Sequence, residues 1–248
     1  MITCKRGREL DAMRVSGRLA GEVLRQVAAA VVPGISTREL DALARQLIDE
    51  KRATPSFLGY RGFPAALCVS VNEEVIHGIP GARRILPGDV VSIDVGVFYQ
   101  GFHGDTATTV LVGVSDPDIL RLVDATRRAR DAGIAAVRPG AKLGDVSHAV
   151  EQMVRQTGCS VVRDFVGHGI GRQLHEDPQI PNYGSPGRGP VLKVGMTLCI
   201  EPMVNLGRPD VSVLRDGWTV VTQDGRPSAH FEHTVAVGED GAEILTAV

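Results

Sequence analysis

The sequence is short of aromatic side chains: one tryptophan, three tyrosines and six phenylalanines in 248 residues. It lacks any apolar run approaching the ~18 residues of a membrane span, so no membrane association is expected. It has no excess of charge, with 27 basic against 29 acidic residues and a net charge of −2. The basic residues are dispersed, which argues against nucleic acid as substrate. The first fourteen residues carry no apolar stretch after their basic positions, so no secretory signal is expected. Cys4, Cys68, Cys159 and Cys199 lie far apart with no C-x-x-C pair. That excludes a cysteine-rich zinc ribbon and fits reduced thiols in the cytoplasm. No G-x-S-x-G nucleophile elbow occurs. The run Gly167-His168-Gly169-Ile170-Gly171-Arg172 lacks the last glycine of a dinucleotide fingerprint. His175-Glu176 begins like a zincin helix, but no second histidine follows and Pro178 would break the helix.

What the chain has in quantity is backbone punctuation, with 29 glycines and 14 prolines. They separate a repeated pattern. Leu10, Met13, Ala20, Val23, Leu24 and Val27 recur at helical spacing up to Pro33-Gly34. Ser36-Thr37-Arg38-Glu39 fits a capping box that opens a second helix carrying Leu40, Leu43, Leu47 and Ile48. Strands follow at Ala65–Val71, Val90–Phe98 and Thr106–Val112. The helix, Pro-Gly, helix pattern then returns at an offset of 106 residues, with Pro139-Gly140 matching Pro33-Gly34 and Val146, Val150, Met153 and Val154 matching Leu40, Ala44, Leu47 and Ile48. A duplicated α+β unit over residues 1–248 is expected, with halves of approximately 1–115 and 116–248 related by a pseudo-twofold axis. The interface between such halves is a natural cleft.

Acidic residues inside apolar strands are the chemical anomaly. Asp94 interrupts the run Val90–Phe98, and an ionised carboxylate there is costly unless paired or bound to metal. Asp105 follows eleven residues later. A tight turn around Tyr99-Gln100-Gly101 makes the two aspartates cross-strand neighbours, and directly opposed like charges need a cation. Glu201 within Met196–Val204 and Glu232 within Ala229–Val235 repeat the anomaly, the latter after a hairpin turn at Gln223-Asp224-Gly225. His168, flanked by Gly167 and Gly169, adds a nitrogen donor. A single strand carboxylate is ordinarily solvated or hydrogen-bonded. Four at repeat-related places are not explained that way. Their charge balances two divalent cations, and oxygen donors with one imidazole suit Mn, Fe, Co or Zn without choosing among them. Cysteine ligands are not indicated. His103, His148, His230 and His233 are expected outside the ligand set, with His233 on the strand face opposite Glu232.

The set Asp94, Asp105, His168, Glu201 and Glu232 resembles the dinuclear metal site of the methionine aminopeptidases, which share a pita-bread fold with prolidases and creatinases. The resemblance covers nearly the whole chain. Its most specific piece is the NE-x-x-x-HGIP stretch Asn72–Pro80, supported by Gly104-Asp105-Thr106, Gly167–Gly171 and Phe231-Glu232-His233-Thr234. Only 31 residues separate the two glutamates, too few for the helical insertion of type II enzymes, so the chain is similar to type I. Prolidases commonly have a further histidine where this chain has Asp164, and an added amino-terminal domain for which no room is expected.

The resemblance implies a fold, a reaction and a set of roles. The fold is α+β, two related halves with antiparallel sheet and flanking helices. The reaction is removal of the amino-terminal methionine from nascent polypeptides by a metal-bridging hydroxide, using two divalent ions per chain. Glu201 is both ligand and proton shuttle, His175 stabilises the oxyanion, and His77 contacts the scissile amide nitrogen. The substrate's free α-amino group binds one metal. Tyr60, Phe63, Cys68, His77, Met203 and Trp218 are placed around the methionine side chain, an apolar wall with sulfur contacts that suits a thioether. A cytoplasmic monomer acting transiently near the ribosome is expected. Phe57, Arg61 and Leu174 depart from the family's usual cysteine, histidine and aromatic residue, which predicts altered pocket selectivity. Two other readings compete: an X-Pro peptidase, and a non-catalytic protein that binds partners through the cleft.

Overall fold

The protein is described by a computed structural model covering residues 2–248. Helix α1 (Arg8–Ala29) buries Met13, Ala20, Val23, Leu24 and Val27 and stops before Pro33-Gly34. Helix α2 (Thr37–Glu50) opens at the expected capping box. The Ser36 hydroxyl accepts from the Glu39 amide at 3.3 Å, and the Glu39 carboxylate accepts from the Ser36 amide at 2.8 Å. Strands β1 (Thr54–Pro55), β2 (Leu67–Val71), β3 (Glu74–Ile76), β4 (Val90–Tyr99) and β5 (Phe102–Leu111) follow. A second helix pair, α3 (Pro117–Ala136) and α4 (Leu143–Arg155), comes next. At its start the Asp145 carboxylate accepts from the Lys142 amide at 2.8 Å, the counterpart of the Glu39–Ser36 contact at the repeat offset.

The remaining strands are short: β6 (Ser160–Val161), β7 (Gly167–Gly169), β8 (Glu176–Ile180), β9 (Thr197–Ile200), β10 (Met203–Asn205), β11 (Val211–Val213), β12 (Val220–Thr222), β13 (Ser228–His230), β14 (Glu232–Val237) and β15 (Ala242–Ile244). His175 and Glu176 therefore lead into a strand, not a helix. The main antiparallel sheet runs β1-β4-β5-β14-β9-β7-β8, with β2 also on β4 and β15 also on β14. Strand β5 pairs with β14, Thr106 opposite His233 and Ala107 opposite Glu232.

Strand alternation sorts the two faces of this sheet. Val91, Ile93, Val95 and Val97 pack with α1 and α2 residues such as Val27 and Leu40. Leu198, Ile200, Val235 and Val237 pack with Ile134 and Val146 of α3 and α4. Helices thus cover one face. The alternate positions Asp94, Asp105, Cys199 and Glu232 project from the other, which carries the chemistry.

Two details of register differ from the sequence expectation. The β4–β5 turn is the two-residue Gln100-Gly101, both at positive φ (50° and 86°), and it keeps Tyr99 paired with Phe102. Asp94 therefore opposes Ala107, and Asp105 opposes Gly96. The aspartates are diagonal neighbours on one face, not a direct pair. The expected continuous strands around the glutamates are also interrupted. Glu201 and Pro202 separate β9 from β10, and Phe231 separates β13 from β14, because the chain passes there from the main sheet into a second sheet, β13-β10-β6. Pairing resumes in the same register beyond the break: Ile200 opposes His233 on one side and Met203 opposes His230 on the other. Glu201 and Glu232 thus stand across from each other at the fracture.

Candidate metal centre and active site

Sequence adjacency explains little of this site; the sheet assembles it. β4 brings Asp94, β5 Asp105, β7 His168, the end of β9 Glu201 and the start of β14 Glu232 to one cavity. His168 reaches it because its neighbours have no side chains. A Cβ on Gly167 would run into the Cys199 carbonyl, and one on Gly169 into the Asp177 carbonyl. Its Nδ1 lies 2.9 Å from the Gly169 carbonyl oxygen. A carbonyl can only accept, so Nδ1 carries the proton and the Nε2 lone pair faces the cavity, 3.4 Å from Glu201 Oε1.

The electrostatics define what is missing. Among the described residues, five buried side-chain atoms lack a hydrogen-bond partner: Asp94 Oδ1, Asp105 Oδ1, Glu201 Oε1, Glu232 Oε1 and His230 Nε2. Four are carboxylate oxygens facing one space. Burial, reinforced by the neighbouring carboxylates, pushes the Asp94, Glu201 and Glu232 carboxyls well above their ordinary range. Burial raises Asp105 from 3.8 to about 7 against the lowering effect of hydrogen bonds from Asp94 and the Thr106 amide. Burial also lowers His168 to about 4. Every group is thus shifted toward neutrality, the state a lone buried ion adopts; bound cations would reverse that preference for the carboxylates and keep the imidazole neutral. Orphaned oxygens beside an imidazole with its lone pair free fit divalent metal ions.

One further side chain lies within reach of the centre. Cys199 Sγ, with Asp105, His168 and Glu232, forms a group whose donor atoms all lie within 4.8 Å of one another. The pairing of Cys199 with Thr234 in β9–β14 puts the thiol on the carboxylate face, a placement that depends on sheet register.

Around these groups lies a cavity of about 160 Å³, whose wall includes Phe57, Tyr60, Arg61, Phe63, Cys68, His77, Leu174, His175 and Trp218. Phe63 meets Trp218 edge-on at 5.1 Å between ring centroids, and Trp218 meets His77 at 6.2 Å. Phe57 and Leu174, two of the positions expected to alter pocket selectivity, are buried in this wall. Met203 is not part of it. It packs with Val75, Ile76, Val162, Val211 and Val220 in a separate core, because the strand break at Pro202 carries it into the second sheet. His175 Nδ1 is 2.8 Å from the Tyr60 hydroxyl, and its ring lies 4.2 Å from that of His168. Burial, with smaller contributions from His168, Arg61 and His77, lowers His175 to about 3. Burial lowers His77 to about 4.

The other histidines fall elsewhere, with one exception. His103 bonds Ser56, His148 faces the Gly184 carbonyl, and His233 bonds Thr246 across the sheet from Glu232. His230 instead abuts the centre, its Nε2 3.9 Å from Glu201 Oε2.

A buried carboxylate and imidazole cluster lining a cavity on the helix-free face of an antiparallel sheet fits a metal-binding site of an enzyme. Comparison gives the family: residues 11–239 match "Metallopeptidase family M24", and the chain belongs to it. The chain is 50% identical to "Methionine aminopeptidase 1" of Bacillus subtilis over all 248 residues, covering 100% of each. It superposes on a methionine aminopeptidase of Thermotoga maritima with a TM-score of 0.98, at 48% identity and 100% coverage of both chains. A prolidase from Pyrococcus furiosus shares the pita-bread fold at a TM-score of 0.80 and 22% identity, over 99% of this chain and 65% of that one.

Proposed function

We propose that the protein removes the amino-terminal methionine of polypeptide chains by metal-dependent hydrolysis. One observation carries the reading most directly: four orphaned carboxylate oxygens open onto the same cavity as the Phe63–Trp218 wall. In this reading Asp94, Asp105, His168, Glu201 and Glu232 hold two divalent ions, Co, Mn, Fe or Zn. When bound, such ions would supply activation of a water as nucleophile and Lewis-acid polarisation of the scissile carbonyl.

The protein groups have separate tasks. Glu201 takes the proton of the attacking water and passes it to the leaving amine. His175 Nδ1 bonds the Tyr60 hydroxyl at 2.8 Å, and in this reading Tyr60 is the donor, so that the single proton of the neutral ring sits on Nε2. That N–H is the donor for the oxyanion of the tetrahedral intermediate. His77 contacts the scissile amide nitrogen. Phe63, Cys68, Tyr60 and Trp218, with Phe57, enclose the methionine side chain and exclude water from it.

Residues 1–248 act as one duplicated unit, with halves of approximately 1–115 and 116–248. The protein works as a cytoplasmic monomer on nascent chains, transiently near the ribosome. Paired assays test the activity: release of methionine from a Met-Ala peptide, against cleavage of an X-Pro dipeptide, before and after chelation. Chelation abolishes methionine release, and added Co or Mn restores it. Preferential X-Pro cleavage, or methionine release indifferent to chelation, contradicts the reading.

A further inference from the structure

Of the five orphaned buried atoms, four belong to the metal centre and the fifth, His230 Nε2, does not. His230 is 2% exposed, and its ring is absent from the cavity wall. Leaving a buried polar atom without a partner costs on the order of 1–3 kcal/mol, and an apolar side chain at the same place would not incur it. The backbone holding this ring is tightly fixed. The Thr109 hydroxyl donates to the His230 carbonyl at 2.8 Å and accepts from the His230 amide at 3.0 Å. It also bonds Ser92 of β4 at 2.9 Å, while Met203 of β10 pairs with His230 in register. The ring is thus held beside Glu201.

Glu201 stands between two imidazoles, one for each oxygen. Oε1 is 3.4 Å from His168 Nε2, and Oε2 is 3.9 Å from His230 Nε2. At 3.9 Å the second contact is not a hydrogen bond, and a movement of about 1 Å would make it one. We propose that His230 is a positioning residue, which donates Nε2–H to Glu201 Oε2 once metal is bound and so turns Oε1 toward the ions. Partners of this kind fix the angle of a ligand, and losing one typically lowers metal affinity or activity about 10–100-fold. The inference rests on the proposed function only in taking Glu201 as a metal ligand.

Metal affinity, measured by titration calorimetry with Mn or Zn, separates this proposal from the identity of the substrate. His230→Leu removes the donor at similar volume; His230→Gln retains an N–H. Leu is expected to weaken binding about 10–100-fold and to lower kcat for methionine release with little change in KM. Gln is expected to restore both to within a few-fold. Wild-type affinity in the Leu variant overturns the proposal, as does a Gln variant impaired as much as Leu. If the Leu variant does not fold, proton NMR of the zinc-loaded protein decides. The proposal requires a slowly exchanging imidazole N–H signal that metal induces and His230→Gln abolishes; its absence overturns the proposal. A protein that binds metal in this way yet releases no methionine would overturn the substrate reading and leave His230 in place.

Discussion

Removing the metal should leave a protein whose stability falls as pH rises, and Asp105 sets the scale. Its carboxyl is raised from 3.8 to about 7 in the folded, metal-free chain by burial. For an acid raised on folding, the favourable protonated form is fully present below the unfolded value. Its contribution is lost as pH climbs through the folded one. At ~1.4 kcal/mol per pH unit, the loss from Asp105 between about pH 4 and pH 7 is on the order of 4 kcal/mol. Asp94, Glu201 and Glu232 shift in the same direction. In a chain of this length, 4 kcal/mol corresponds to a change in Tm of roughly 8–16 °C. Differential scanning calorimetry of chelated protein at pH 5 and pH 8 samples about 3 kcal/mol of that loss, roughly 5–11 °C in Tm. Metal should raise Tm more at pH 8 than at pH 5, since the ions need ionised carboxylates. Asp105→Asn should make the chelated protein more stable at pH 8 while weakening metal binding. A chelated wild type equally stable at both pH values, with Asp105→Asn no better, would refute the claim that burial of these carboxylates is strained without metal.

Other outcomes follow from single contacts. Glu201→Gln should lower kcat by about 10²–10⁴, the range for a lost general acid–base, as read by single-turnover methionine release. His175→Ala should cost about 10²–10³ in kcat, and Tyr60→Phe less, because Tyr60 bonds His175 Nδ1 at 2.8 Å and holds its ring. Phe57→Cys should change the relative rates on amino-terminal residues other than methionine, or the response to inhibitors that fill the cavity; identical profiles would remove Phe57 from the selectivity account. Ser36→Ala deletes the α2 cap and should cost about 0.5–2 kcal/mol in urea unfolding, without altering catalysis.

Local signals were legible in the sequence, and signals that depend on the meeting of strands were less so. Ser36 and Glu39 lie within one helical turn, so their reciprocal bonds follow from four residues. Asp94 and Glu201 stood out because each interrupts an apolar run, an energetic anomaly visible without any partner. The mutual geometry of the carboxylates depends on register. A turn placed at Gln100-Gly101 instead of around Tyr99 makes Asp94 and Asp105 diagonal, since Tyr99 remains competent to pair. The fracture at Glu201-Pro202 and at Phe231 comes from the chain changing sheets, which no local pattern records. It moves Met203 out of the cavity wall and brings His230 beside Glu201. The same dependence on register hid Cys199, whose position on the carboxylate face follows from its pairing with Thr234.

The central claim is that the orphaned oxygens of Asp94, Asp105, Glu201 and Glu232 exist to hold metal for hydrolysis. Equilibrium dialysis of the chelated protein with Co or Mn, scored for bound ions and methionine release in the same samples, tests it most directly. The account predicts up to two ions per chain, with methionine release absent before metal and rising as the centre fills. Full release from the metal-free protein, or metal uptake unaffected by Asp94→Asn and Glu232→Gln, would contradict it.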